Sequence, residues 1–395
     1  MVLTRWAVAA LFGFGLSLGL SLALSTTPAM AAQTALPKGM DCPAGHEPYS
    51  VDTVLLDIYI NPTTRGIVEK DAPGFFASLP HRFARTEPPT FMDIATLDQA
   101  NHQVPADKVI PADVLARIGA ELAQVPVTDE AIRARCARYD ETPPPLSLPV
   151  QQPAILVFDK INGFRDDPSV NAATAALKAM AAREGWTLVF TDNGAVFNAR
   201  DLKPFKAVIW NNVSGDVLTL PQRAAFKTYI EHGGGFAGIH GAGGDPYYAW
   251  DWYVDTLIGA RFLGHPGSPQ FQAARVIVDD PASAITRGLS DWTMTEEWYS
   301  FRSNPRPAGV HVLARLDETT YSPDELGHDI RMGADHPIAW TQCIGFGRSF
   351  FTAIGHRPES YSEPSAIALL ENGIKWSAGL GETKCIAGHE TAVKP

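Results

Sequence analysis

Gly233-Gly234-Gly235-Phe236-Ala237-Gly238-Ile239-His240-Gly241-Ala242-Gly243-Gly244 reads as a short buried strand that runs into a tight glycine turn and presents one histidine. Phe236 to Ile239 is apolar and flanked by glycine, as a strand covered on both faces tends to be. Gly238 and Gly241 bracket the Ile239-His240 pair, so the backbone there can take a positive φ or approach another segment without a Cβ clash. The nearest analogue is the nucleophile elbow, G-x-S-x-G or its cysteine version, in which a strained strand-to-helix turn holds one reactive side chain at the carboxyl edge of a sheet. Here the presented side chain is His240.

Outward from this stretch the chain alternates between strand and helix patterns. Ala154 to Phe158, Thr187 to Thr191, Ala207 to Asn211 and Phe236 to His240 read as buried strands, and Ala172 to Arg183 and Gln222 to His232 as the helices between them. That alternation predicts an α/β fold, a three-layer sandwich with helices on both faces of a mostly parallel sheet. Ligands in such sheets bind at the carboxyl ends of the strands, where His240 sits. Beyond Gly244 the pattern loosens into an aromatic, glycine-rich stretch to about Phe301. Strand signals at Pro337 to Cys343 and Arg348 to Ile354 follow, then a closing helix at Ser365 to Ser377.

Toward the N-terminus, the proline-rich segment 141–153 reads as an extended linker. Residues 32–140 form a small accessory region with a possible strand at Thr53 to Ile60 and helical spacing at Ala112 to Ala123 and Asp129 to Arg138. The main domain spans residues 154–378 and a tail covers 379–395. Residues 1–31, with Arg5, an apolar run from Trp6 to about Leu24 and Ala29-Met30-Ala31, read as a signal peptide, which predicts a periplasmic or secreted protein with no membrane contact after cleavage. Removing that leader takes the formal charge from −11 to −12. An acidic chain without a Lys/Arg cluster excludes nucleic acid as a partner. A homo-oligomer is compatible with the sequence. The four cysteines lack the short spacing of zinc or redox motifs, so disulfides are expected; of the three possible pairings, Cys42 with Cys136 and Cys343 with Cys385 is preferred because each bridge then closes within one region.

Six motifs then appear in a fixed order. They are Asn162-Gly163-Phe164-Arg165, the glycine run at His240, Gly264-His265-Pro266, Glu296-Glu297-Trp298-Tyr299, Asp335-His336-Pro337-Ile338-Ala339-Trp340, and Gly345-Phe346-Gly347-Arg348 with Gly355-His356-Arg357-Pro358-Glu359. In this order, over about residues 153–378, the chain resembles ThuA-like (trehalose utilisation) proteins. The resemblance implies a class I glutamine amidotransferase-like, flavodoxin-like sandwich and a role in sugar metabolism, with a small-molecule carbohydrate as partner. Amidotransferases carry a cysteine nucleophile at the elbow, whereas His240 stands here, so thiolate hydrolysis of glutamine is ruled out at this site.

The chemistry then falls to imidazoles and carboxylates. His240 can act as general acid or base, or bind a metal as neutral imidazole; the plain alternative is a histidine that only hydrogen-bonds its own turn. His356 with Glu359 resembles the late histidine and glutamate of the amidotransferases, and Arg357 suits a sugar-acid or phosphate oxygen. Glu296 and Glu297 point to opposite faces if they lie on a strand, and the buried one has a carboxyl suited to acid–base work. The expected catalytic residues are His240, His356 and Glu297; Arg165, His265, Glu296, His336, Arg357 and Glu359 are expected to bind substrate. No cofactor motif is evident, with no Gly-x-Gly-x-x-Gly after a strand. A divalent metal on the histidines is compatible with the sequence but ranks below acid–base work. Asp166-Asp167 stands where ThuA-like proteins commonly carry histidine. The function read here is an exported enzyme acting on a carbohydrate or oxidised sugar by His/Glu acid–base chemistry, as hydrolase, isomerase or lyase. The alternative is a non-catalytic sugar-binding module.

Overall fold

The computed structural model describes residues 39–146, 152–325 and 327–382. The leader read at 1–31 and Cys385 lie outside them. Among the described residues the main sheet has nine strands: β1 Ala154–Phe158, β2 Thr187–Thr191, β3 Ala207–Asn211, β4 Gly235–Ile239, β5 Gln272–Val278, β6 Trp292–Glu296, β7 His311–Asp317, β8 His336–Ile344 and β9 Gly347–Thr352. Their order is β2-β1-β3-β4-β9-β8-β7-β5-β6. The first five run parallel. They reproduce the flavodoxin-like order, in which helical crossovers force successive strands to lie side by side in one direction. The other four are joined antiparallel. β1, β3 and β4 are buried along their whole length, which is why each reads as a continuous apolar run rather than an alternating one.

Two layers of helix follow from the strand alternation. Trp210 on β3 packs against Phe226 of helix Leu220–Glu231 and against Tyr253 of the π-helix Trp252–Ile258. The next residue, Asn211, points to the other face, where its amide donates to Val170 O and Thr174 Oγ1 of helix Asp167–Glu184. The closing helix Pro364–Ser377 lies beside that helix, tied to it by Lys375 Nζ to Glu184 Oε2 at 2.8 Å and by Arg183 to Glu371.

The antiparallel half departs from the sequence reading. Gln272–Val278, read as part of a loose aromatic stretch, is a strand of the main sheet. Strand β8 carries register shifts between Pro337 and Trp340. Such bulges bend a strand and strengthen its twist.

The N-terminal region corrects one expectation. Thr53 to Ile60 is not a strand; Leu55–Ile60 is a helix, and only Val54 forms a bridge, to Thr96. A short continuous apolar run carries no period to separate strand from helix. This helix buries Leu55, Leu56 and Ile58 against Val68, Phe75, Leu97 and Ile118 in a core distinct from the sheet's. Helices Ala112–Leu122 and Asp129–Cys136 form as expected. The expected disulfide Cys42–Cys136 is present, closing a separation of 94 residues. The region belongs to the same compact unit as the sheet. Thr90 N donates to Asn162 O at 2.9 Å and Leu220 N to Asp41 O at 2.9 Å.

Candidate functional site

His240 follows β4 directly and opens a one-turn 3-10 helix, His240–Gly243, with φ of 41°. The positive φ falls on the histidine itself, not on Gly238 or Gly241. For a side-chain-bearing residue that conformation costs on the order of 1–3 kcal/mol and persists only where the surroundings hold it. They do so here: Nδ1 of His240 donates to Ala353 O at 2.7 Å, and the Tyr299 ring stacks on the imidazole at 4.2 Å. Gly241 serves close approach instead, since a Cβ there would lie 3.0 Å from Asn212 O.

Two further segments bring groups to His240. Just past β9, Gly355 has a φ of +145°, and a Cβ on it would meet the Tyr361 hydroxyl at 2.6 Å. Only a residue without a side chain lets His356 come in so close. Glu297 arrives just past edge strand β6. Its Oε2 lies 3.2 Å from His240 Nε2 and 3.0 Å from His356 Nδ1, and the two histidine nitrogens are 3.1 Å apart. Its Oε1 lies 3.3 Å from His265 Nε2 and accepts from Gln270 Nε2 at 2.5 Å. The Glu297 side chain is 3% exposed, His240 4%, His356 11% and His265 32%, so the cluster opens outward through His265 and His356.

Burial alone would push the Glu297 carboxyl up; the contacts from His240 and His356, with the nearby His265, outweigh it and hold the group well below the usual carboxylate range. Burial would lower His356, but Glu297 beside it raises its affinity for a proton overall. The centre is thus an ionised carboxylate enclosed by imidazoles, a pairing that can take up and return protons near neutral pH.

The remaining expected residues divide. Glu296 is fully buried, yet its carboxylate accepts from the backbone N–H of Glu297, Gly355 and Arg357 and from the Ser360 hydroxyl. It holds the 355–360 loop and leaves no oxygen for substrate, contrary to the expectation. His336 is also corrected: it is fully buried between Glu318 Oε1 at 2.7 Å and Tyr299 O at 2.8 Å. Arg165 bonds Asp167 at 2.7 Å and Asp159 O at 3.2 Å beside β1. Arg357 lies over the Phe271 ring and pairs with exposed Glu359 at 3.2 Å. Asp166 caps helix Asp167–Glu184 by accepting from Ser169 N at 3.0 Å, a structural use for the residue at that variant position.

Several residues at the site were not among those expected to act there. Phe164 stacks on the His356 ring at 5.9 Å, and Phe271 meets it edge-on at 5.2 Å. These phenylalanines are 41% and 38% exposed, so two apolar rings edge the mouth of the site. Phe91 of the N-terminal region packs on Phe164 at 5.4 Å. Glu325, raised by burial, packs its carboxylate against Gly264, next to His265. Phe164 had a signal in the Asn162-Gly163-Phe164-Arg165 motif and Phe271 in the aromatic stretch that ends near Phe301; Phe91 and Glu325 had none.

Fold and elbow together define the class: a flavodoxin-like α/β protein of the amidotransferase type whose elbow bears histidine. A family model described as trehalose utilisation (ThuA) matches residues 154–377, and the chain belongs to that family. Among solved structures, a ThuA-like protein from Bacteroides uniformis ATCC 8492 is 25% identical, with a TM-score of 0.50 over 59% of this chain and 94% of its own. Another, from Parabacteroides merdae ATCC 43184, is 15% identical, with a TM-score of 0.43 over 58% of this chain and 92% of its own. No curated protein matches the chain at a significant level.

Proposed function

We propose that this protein is a carbohydrate-processing enzyme that works on a sugar or oxidised sugar derivative through acid–base chemistry at Glu297, His240 and His356. The observation that carries the reading is the Glu297 carboxylate, buried and within 3.3 Å of three imidazoles at the carboxyl ends of the parallel strands. Hydrolysis, isomerisation and elimination all need a group that removes a proton and one that returns it, and this cluster supplies both. The rings of Phe164 and Phe271 suit the apolar face of a sugar, and family membership supports the substrate class. Among the described residues one disulfide is present and no helix is long and apolar enough to cross a membrane. With the leader-like first residues, this supports a periplasmic or secreted location.

The test is a panel of disaccharides and oxidised sugars incubated with the full chain and read by mass spectrometry. His240→Asn and Glu297→Gln are expected to lower turnover by roughly 10²–10⁴-fold with unchanged circular dichroism. Undiminished turnover in both would sink these roles. A sugar that raises the melting temperature yet is recovered unchanged after long incubation would make the protein a binding module.

A further inference from the structure

The geometry points to a divalent transition-metal site formed by His240 Nε2, His356 Nδ1 and Glu297 Oε2. The inference rests on the reading of this cluster as the working centre and deepens it. Three observations carry it. The first is spacing. The three atoms form a nearly equilateral triangle with sides of 3.1, 3.2 and 3.0 Å. An ion about 2.0–2.1 Å from each of three nitrogen or oxygen donors holds neighbouring donors about 2.9–3.4 Å apart, so one cation fits all three.

The second is the count of protons. Ala353 O can only accept, so His240 Nδ1 carries the hydrogen and neutral His240 turns a lone pair toward the other two atoms. Glu297 Oε2, as a carboxylate, also offers only lone pairs. In the neutral cluster one hydrogen, on His356 Nδ1, is left to serve two buried acceptors, His240 Nε2 and Glu297 Oε2, and the His240–Glu297 contact has none; with that hydrogen on His356 Nε2 instead, all three atoms present only lone pairs. A cation at the centre satisfies all three lone pairs at once.

The third is the outer ring. Ligating histidines characteristically donate their second N–H to a backbone carbonyl or carboxylate, which fixes the tautomer and the ring. His240 does this to Ala353 O. Glu297 is held the same way: Gln270 and His265 contact Oε1, which leaves Oε2 as the single donor atom turned to the histidines. Two histidines and one carboxylate on a common face leave the other coordination positions for water or substrate oxygens. This arrangement suits a first-row divalent ion, for which the sequence offered the imidazoles but no metal-motif spacing. The three ligands are 57 and 59 residues apart in order, with none of the short spacings of a metal motif.

The experiment reads metal and not turnover, so its failure is separate from failure of the carbohydrate reading. The full chain is stripped with a chelator, then titrated with Zn²⁺, with Fe²⁺ under anaerobic conditions, and with Co²⁺ as a spectroscopic probe. Bound metal is counted by mass spectrometry of the elements. One ion per chain is expected, with Co²⁺ d–d absorption in the visible. His240→Asn, His356→Gln and Glu297→Gln should each lower metal affinity by at least tenfold while retaining the wild-type circular dichroism spectrum; His232→Ala, at an exposed helix end, should bind as the wild type does. No stoichiometric binding by the folded chain overturns the proposal. So does binding that survives all three ligand substitutions. Should a ligand variant fail to fold, the Co²⁺ spectrum of the wild type still decides: a purely hexa-aqua spectrum at saturation overturns the site.

Discussion

Two adjacent glutamates show how far a residue's role departs from its type. Both are buried, and both contact the loop or ring of the 355–360 segment. Glu297 faces three imidazoles; Glu296 spends every lone pair on three backbone N–H groups and a hydroxyl. Glu296→Gln turns an amide NH₂ toward donors and leaves at least one of them buried without an acceptor. The expected cost is about 2–4 kcal/mol of stability, measured by denaturant unfolding. An unchanged midpoint would refute the anchoring role. The pair was legible in the sequence as two candidate carboxylates; which one lies beside the histidines depends on what arrives from β9, and no local pattern carries that. His240 was legible for a different reason, since the glycines that permit its close quarters are themselves in the sequence. The positive φ on the histidine was not, because it is imposed by Ala353 and Tyr299 from distant segments.

At the scale of elements, the parallel strands were legible because both their faces are covered and each reads as an unbroken apolar run between turns. The antiparallel half was less so. Strand β5 has the burial pattern of a half-exposed strand, with charged and polar residues among its apolar ones, and it merges with its surroundings in the sequence. The sheet order sets β6 five strands from β4, about 24 Å away in a flat sheet at the usual strand spacing of roughly 4.8 Å. Glu297 at the end of β6 nonetheless touches His240 at the end of β4, so the sheet curls back on itself, aided by the bulge in β8. The loop that this curl brings over His356 carries Phe271, and Phe164 reaches the same ring from the loop after β1. Replacing either by alanine is expected to raise KM by about three- to tenfold with little change in kcat, from the loss of about 0.5–1.5 kcal/mol of ring stacking. A fall in kcat with KM unchanged would show that the rings position His356 instead of substrate.

At the scale of the whole molecule, the N-terminal region is joined to the sheet domain through a charged interior. Arg138 makes contacts of 2.6 and 3.4 Å with Asp57 and also reaches Asp93 at 2.9 Å. Burial, only partly offset by Arg138 and reinforced by Asp57, Asp216 and Asp245, pushes the Asp93 carboxyl up to about 7. Asp245, across the junction, is likewise pushed by burial to about 7, against hydrogen bonds from Ser214 and Gly215. An acid raised in the folded state binds its proton more tightly folded than unfolded. Its contribution to stability is therefore complete below its ordinary value of 3.8 and lost as the pH rises through about 7. Stability in urea is expected to fall between about pH 4 and pH 7, and Asp93→Asn to flatten that slope. A slope unaltered in the variant would remove Asp93 from the account.

The sequence by itself determined the parallel half of the sheet, the elbow at His240 and the membership of the ThuA family. Each depends on local periodicity, on glycine placement or on the order of short motifs. Tertiary structure alone decided that Glu297 and His356 close on His240, that His336 and Glu296 are structural, and that an N-terminal phenylalanine backs the mouth of the site. Those outcomes depend on sheet curl and on contacts between segments far apart in the chain, where the identity of a residue sets what it can do and only its neighbours set what it does.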